Sequence, residues 1–416
     1  MSDPHIDDWS AHVLSELIDR KFTGPSPTCE ERPIASSEEW GLLKTTAVTW
    51  SGWDENAHKV PPRQYWGNQS IEVKQDDVLI TKAGPRHRVG VVVHVASTRP
   101  HLMVSGKMVG LRPNKSKVVP RVLAGLLSTQ RVQDYLNSRT TGMAESQTNF
   151  ADEALLRTEL NLPPLPEQRR IAEILDTLDT QIGTREQIIA KLKLAKQGLA
   201  RALLPLDGDS QVEIRPLREL ADISGGVTLG SEPSGPGTVR RPYLRVANVQ
   251  DGHLDLSEIK FIRVRSSDLP RYSLEHGDVL MNEGGDADKL GRGTVWENQI
   301  EGCLHQNHVF RVRADRRVLE PWFLAHVSAS AYGKKYFLGA SKQTTNLATI
   351  NSTQIGAFPI PLPSVDEQRR IVEILSSHDA LVAQEQATLK KLYRLKAGLM
   401  SDLLTGRVRI PLEAVA

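Results

Sequence analysis

The sequence has only two cysteines, Cys29 and Cys303, in 416 residues, which leaves no disulfide framework and no cysteine-rich metal site to organise the chain. It has no apolar run near the roughly 20 residues that a membrane-crossing helix needs. Its acidic first residues lack the pattern of a secretory signal. A reducing cytoplasm and no membrane partner are therefore expected. An excess of charge is missing too. The formal net charge is +2, so bulk basicity does not announce nucleic-acid binding, although a basic cleft can be balanced by acidic outer surfaces.

Catalytic signatures are equally scarce. There is no GxxxxGK[ST] phosphate loop and hence no encoded nucleotide-driven work. The Gly-rich stretches GGVTLG (225–230) and GGDADKLGRG (284–293) read as turns, because neither follows a strand-to-helix dinucleotide pattern. Asp286 and Asp288 start a calcium-loop ladder that goes no further, so a hairpin turn carrying Lys289 and Arg292 is expected there. Cys303, His305 and His308 crowd together in CLHQNH. Strand alternation sends His308 to the opposite side from the other two, and no second ligand pair lies nearby. No catalytic residue, metal site or cofactor is expected in this chain.

What the chain does contain is a repeat. Residues 167 to 175 read EQRRIAEIL and residues 367 to 375 read EQRRIVEIL, an offset of 200 residues sustained through Glu167/Glu367, Gln168/Gln368, Arg169/Arg369 and Arg170/Arg370. Each copy opens a long amphipathic segment. Ile171, Leu178, Arg185, Leu192 and Leu199 form one heptad column, and Leu175, Ile182, Ile189, Lys196 and Leu203 form the other. The second copy places Ile371, His378, Glu385, Leu392 and Leu399 beside Leu375, Val382, Leu389, Lys396 and Leu403. Residues 167 to 204 predict a rod of about 57 Å at ~1.5 Å per residue. Two rods with one apolar stripe each can hide it against each other. Either pairing brings Arg185 to Glu385 at the middle, but a parallel one also stacks Lys196 on Lys396 and loses the separation of the two globular domains, so the antiparallel pairing is expected.

Taken in order, Trp9, Val13, Leu14, Leu17 and Ile18 have the spacing of a short amphipathic helix, and residues 21 to 39 read as irregular. Strand-like runs follow at Lys44 to Trp50, Ile71 to Gly84 and Val89 to Val95, then a helix at Leu123 to Arg139. The second copy shows the same plan. RPYLRVANVQDGHLDL supplies a strand, a turn at Asp251 and Gly252 and another short strand; LEHGDVLMNEGG aligns Asp278 with Asp77; GTVW and HVFRVR are further strands; PWFLAHVSASAYGKKYFLG is a helix. QTTNLATI of the second copy is placed against QTNFADEA of the first. The expected organisation is a mixed α/β chain with an internal pseudo-twofold duplication: a globular domain with an N-terminal helix (1–162), a central long helix (163–206), a second globular domain (207–361), and a C-terminal long helix and tail (362–416). The two long helices separate the globular domains as an antiparallel coiled coil, and the tail returns to the first domain.

Two similar domains on a rigid spacer suit a long ligand that offers two sites at fixed separation, as duplex DNA does. Such a ligand needs Arg and Lys on phosphates and Arg, Asn, Gln or Lys at base edges. Candidates in the first domain are Lys82, Arg86, His87, Arg88, Lys115 and Lys117. In the second they are Arg240, Arg241, Arg245, Asn248, Lys289, Arg292, Lys334, Lys335, Lys342, Gln343 and Asn346. The competing classes are a protein-only scaffold with two peptide-binding domains, supported by the low net charge, and a self-contained nuclease or methyltransferase, for which no motif is found.

The segments LPPLPEQRRIAEIL, LPSVDEQRRIVEIL, YLRVANVQDGHLD, LEHGDVLMNEGG, KLGRGTVW and QTTNLATINSTQIGAFPIPLP resemble the specificity subunit of type I restriction-modification systems. That resemblance covers most of the chain. It implies two target-recognition domains that each read one half of a bipartite, asymmetric DNA sequence, with conserved helices that set the spacer and dock two modification (methyltransferase) subunits. It also implies two restriction (translocase/endonuclease) subunits as partners. S-adenosylmethionine, ATP and Mg2+ then belong to the partner subunits, in keeping with the missing [DN]PP[YF] adenine-methylation motif here. The first domain departs from the pattern, since WGLLKTTAVTW stands where the second has YLRVANV.

Overall fold

The structure is a computed structural model that describes residues 8–144, 147–205, 212–230, 233–285, 290, 291, 293–343 and 348–410. The chain divides into two compact units, Met1–Arg185 with Thr388–Ala416, and Glu186–Ala387. The division falls within two continuous helices, Leu165–Leu203 and Val365–Leu403, so each unit holds the first part of one and the last part of the other.

In the first unit the run VLIT forms strand Val78–Thr81, buried at every residue. A strand apolar on both faces must be covered on both. One face, Val78 and Ile80, joins Val109, Leu111, Val122, Leu126 and Ile171 in one core. The other, through Leu79, meets Leu42, Trp40, Val93 and Met103 in a second. The main sheet runs in the order Ile18–Phe22, Met108–Pro113, Val78–Thr81, Val92–His94. Beside it stand a sheet ordered Leu102–Met103, Gly41–Leu43, His58–Lys59 and another ordered Thr140–Ala144, Gln147–Phe150, Ala83–Gly84.

The second unit repeats these orders. Its main sheet is Ala221–Ser224, Val309–Ala314, Val279–Asn282, Gly293–Val295. Its flanking sheets are Lys260–Arg265, Thr238–Leu244, Leu304–His305 and Gly284–Gly285, Ala348–Thr349, Lys342–Gln343. Val279 and Met281 face the helical core while Leu280 faces Trp296 and Leu244, the same double burial as in VLIT.

The helix pairing is antiparallel within each unit. In the first, Asp179 pairs with Lys396, and Glu167 meets Arg409 at 2.9 Å. Moving forward along one helix thus moves backward along the other. In the second, Lys196 meets Asp379 at 2.5 Å, and Leu204 shares a core with Ile371 and Leu375. Each seam lysine therefore faces an aspartate instead of its repeat partner. Of the seam positions, Ile171, Leu175, Leu178, Ile182, Ile189, Ile371, Leu375 and Leu403 are buried. The remaining ones, Arg185, Leu192, Leu199, Leu203, Val382, Glu385, Leu389 and Leu392 among them, are half-buried. Arg185 belongs to the first unit and Glu385 to the second.

Several local expectations are corrected. The N-terminal helix is instead strand Ser10–Val13, a 3-10 turn at Leu14–Glu16 and strand Ile18–Phe22. The first strand pairs with Glu159–Leu162 and the second with the strand Met108–Pro113, so distant ladders override a local helical spacing. The helix placed at Leu123 to Arg139 is two, Pro120–Leu127 and Gln130–Asn137. Between them Ser128 and Thr129 turn their hydroxyls back onto the Ala124 and Leu126 carbonyls, which competes with continuation of the helix. The later helix likewise breaks at Ser330 into Pro321–Ala329 and Ala331–Ala340. Of Lys44 to Trp50 only Val48–Thr49 is strand. After the turn at Gly252 there is a single bridge, Val249 to Leu254, and no second strand. Strand pairing also shifts the repeat: Asn149 and Thr148 pair with Ala83 and Gly84 as Thr349 and Ala348 pair with Gly284 and Gly285. QTNF is therefore matched by LATI, and Gln343 sits in the strand before it.

Candidate nucleic-acid interface

The duplicated sequence motif has a structural job. Gln168 is buried; its Oε1 accepts the Val119 N–H at 2.8 Å and its Nε2 donates to the Pro163 carbonyl at 2.8 Å. Gln368 repeats this on the Glu320 N–H and the Pro363 carbonyl, with a further bond to the Val318 carbonyl. Val119 and Glu320 are the N-cap residues of helices Pro120–Leu127 and Pro321–Ala329. A side-chain amide thus satisfies a helix N-terminus that no cap residue serves. The Glu167 beside it is buried and held by Arg409 and by the Ile410 N–H, so the tail does return to the first unit.

The candidate ligand-binding residues of the first unit fall into two groups. The strand Val78–Thr81 lies between Asp76 at one end and Lys82 at the other, so Lys115, paired with Asp76 at 2.6 Å, and Lys82 sit at opposite ends of the sheet. Burial pushes the Asp76 carboxyl up, but hydrogen bonds from Lys115 and His94 outweigh it and hold the group below its usual range. Lys82 meets Asp152 at 2.8 Å, and Lys21 shares that carboxylate, whose pKa is held down by both lysines against the upward push of burial. Lys117 donates to the Glu16 carbonyl at 3.0 Å. Arg88 is half-buried, and its Nη2 donates to the Thr45 carbonyl at 2.8 Å. Arg86 and His87 remain, exposed on a 3-10 turn directly after Ala83–Gly84.

In the second unit Asn248 is held inside the domain. It is buried, and its amide is used up on the Arg245 N–H and the carbonyls of Asp255 and Glu258, which shapes a turn. Arg245 lies 3.5 Å from Glu258. Lys334 pairs with Asp251 at 3.0 Å. Lys335, Lys342 and Arg240 are exposed, and Arg241 is half-buried. Lys289, Arg292 and Asn346 lie outside the described residues, as do Asp286 and Asp288; Gln343 contributes backbone to a strand. The small sheet sets Gly284–Gly285 and Lys342–Gln343 on either side of Ala348–Thr349, as its counterpart sets Ala83–Gly84 beside Gln147–Phe150.

Cys303 and His305 are buried and His308 pairs with Glu283. Burial pushes the Cys303 thiol up to about 12 and His305 down to about 4. Among the described residues no three His, Cys, Asp or Glu side chains gather as a metal site, and no helix is long and apolar enough to cross a membrane.

A family model described as the type I restriction modification DNA specificity domain matches residues 68–194 and 209–394. The chain belongs to that specificity family. The EcoKI specificity subunit of Escherichia coli is 25% identical over 363 residues, covering 82% of this chain and 76% of that protein. The EcoEI specificity subunit of Escherichia coli is 32% identical over 189 residues, but the match covers 45% of this chain and 31% of that protein. A putative MjaX specificity subunit of Methanocaldococcus jannaschii matches over 46% of this chain and 45% of its own length. The chain thus spans under half of these last two relatives. In fold it is similar to the S subunit from M. genitalium, with a TM-score of 0.60, 15% identity and 97% of each chain covered. Sequence reasoning had the specificity family's repeat; it missed the buried glutamine ties and, in KFIRVR, an alternation of arginine with apolar residues that marks a two-faced strand.

Proposed function

We propose that this chain is the DNA-specificity subunit of a type I restriction-modification complex, in which each globular domain reads one half of a bipartite, asymmetric duplex target. The single observation that carries the reading is the duplication of a whole domain-plus-helix, with the same three sheet orders in both units, in a chain that belongs to the specificity family. Two copies of one reader that differ in surface residues are what two unlike half-sites require. Arg86 and His87 in the first domain and Arg240, Lys335 and Lys342 in the second supply exposed cations or donors. The paired helices set the spacer and hold two methyltransferase subunits, with two restriction subunits joining the complex. Methyl transfer from S-adenosylmethionine and ATP- and Mg2+-dependent cleavage are partner chemistry.

Methylation mapping across a genome, in cells that supply this chain and its methyltransferase partners, tests the reading. The expected result is a two-part motif with a constant gap, and exchange of residues 1–162 for those of a relative changes one half only. A one-part motif, or a change in both halves, overturns independent reading.

A further inference from the structure

The ribbon made by Thr238–Leu244 and Lys260–Arg265 is the longest strand pairing in the second unit, with Thr238 opposite Arg265, Arg240 opposite Arg263 and Pro242 opposite Phe261 on one face. The alternate residues Val239, Tyr243, Ile262 and Val264 pack with Val227 and Leu304. The period of two therefore turns Arg240, Phe261, Arg263 and Arg265 outward together. All four are exposed, Phe261 by 50%. The Arg240 guanidinium carbon lies 4.8 Å from the Phe261 ring centroid.

This face is electrostatically uncompensated. Like charges directly opposite in an antiparallel pair repel, yet Arg240 and Arg263 face each other, and among the described residues no carboxylate forms an ion pair with Arg240, Arg263 or Arg265. Several other arginines of the unit do have one, Arg311 with Asp222, Arg313 with Asp278, Arg245 with Glu258 and Arg317 with Asp315, whereas Arg218, Arg241, Arg271 and Arg316 have none among the described residues, but these do not stand together on one strand face. In the first unit the corresponding pairing is only Leu42 with Lys59 and Leu43 with His58. Three cations near it are neutralised at home, Lys44 and Lys59 on Glu31 and Arg32 on Glu30 and Glu39.

We propose that this ribbon is a sequence-independent grip on the phosphate backbone of duplex DNA, which the second domain has and the first lacks. The proposal rests on the function proposed above and deepens it: the two readers contribute unequally, the second holding more of the non-specific affinity. Guanidinium forks match phosphate oxygens in pairs. Arg263 and Arg265, two residues apart on one strand, stand about 7 Å apart along it, so they reach different phosphates. Phe261 holds the Arg240 guanidinium on its ring and presents an apolar edge toward the sugars.

The test is DNA binding by the assembled complex with its methyltransferase partners, comparing wild type with the combined Arg240→Gln, Arg263→Gln and Arg265→Gln variant over a range of salt. Affinity for cognate and scrambled duplexes is expected to fall by the same factor, on the order of 10- to 100-fold at low salt. The slope of log affinity against log salt is expected to flatten by about 0.9 for each phosphate that the variant no longer neutralises. The corresponding triple Lys variant keeps the charge and is expected to restore the slope while recovering only part of the affinity. Unchanged affinity and slope in a Gln variant that assembles normally overturns the proposal. Failure of the Gln variant to assemble, with folding intact, assigns the face to a protein partner and also overturns it. A wild-type complex with no preference for any sequence sinks the specificity reading instead, whereas a wild-type preference with an indistinguishable variant sinks the ribbon alone.

Discussion

Arg112 grips Asp77 with both arms of its guanidinium, Nε to Oδ1 and Nη2 to Oδ2 at 2.9 Å each, and the Asp77 carboxylate is 1% exposed. Arg313 repeats the grip on Asp278 at 2.7 and 2.8 Å. Each aspartate also accepts a backbone N–H three residues before it, from Lys74 or Glu275. The pair closes the turn that launches the strand buried on both faces in each unit. Removing one member of such a buried pair costs about 3 kcal/mol. Asp77→Asn and Asp278→Asn are each expected to lower the urea midpoint clearly. A change within error in either variant shows that the turn does not need the charge.

The glutamine ties predict a smaller loss. Gln168→Leu strands the Val119 N–H and the Pro163 carbonyl, and Gln368→Leu strands the Glu320 N–H with the Val318 and Pro363 carbonyls, each at about 1–3 kcal/mol. Because the two residues lie in different units, their effects are expected to add in the double variant. Chemical denaturation of both single variants and the double one measures this, and marked non-additivity contradicts separate ties.

The tail contact is specific to one end of the chain. Arg409→Ala leaves the buried Glu167 carboxylate without its cation, while Arg370 pairs with the more exposed Glu367 on the same helix. The expected outcome is faster proteolysis after Thr405 and a stability loss of about 2–3 kcal/mol, with Arg370→Ala nearly silent. Equal behaviour of the two variants contradicts the asymmetry.

Acid sensitivity follows from two buried histidines. Burial lowers His305 and His326 from 6.5 to about 4. A histidine with a lower pKa when folded binds fewer protons than in the unfolded chain. Stability is therefore full above pH 6.5 and falls as pH drops toward 4, by at most about 3 kcal/mol per group. His326→Gln and His305→Gln are expected to flatten the melting temperature between pH 6.5 and 4. An unaltered slope in both assigns the loss to other groups; Glu39 and Asp315, lowered to about 2 by hydrogen bonds from arginine and from backbone N–H groups, lose their stabilisation only at more acid pH.

The sequence by itself determined the duplication, the presence of two long helices and the apolar stripe along each. It did so because repeats and heptads are periodic along the chain, and burial of one stripe follows from the period alone. It also aligned Asp77 with Asp278 before either had a partner in view. Only the tertiary structure decided that Ser10–Val13 and Ile18–Phe22 are strands, because their ladder partners lie far along the chain. It alone separated cations that are already spent, such as Lys82 on Asp152 and Arg88 on the Thr45 carbonyl, from those that face solvent, such as Arg86 and Arg263. A charge is available to a ligand only when no internal carboxylate or carbonyl has claimed it, and that claim is made through space by residues that no local pattern connects.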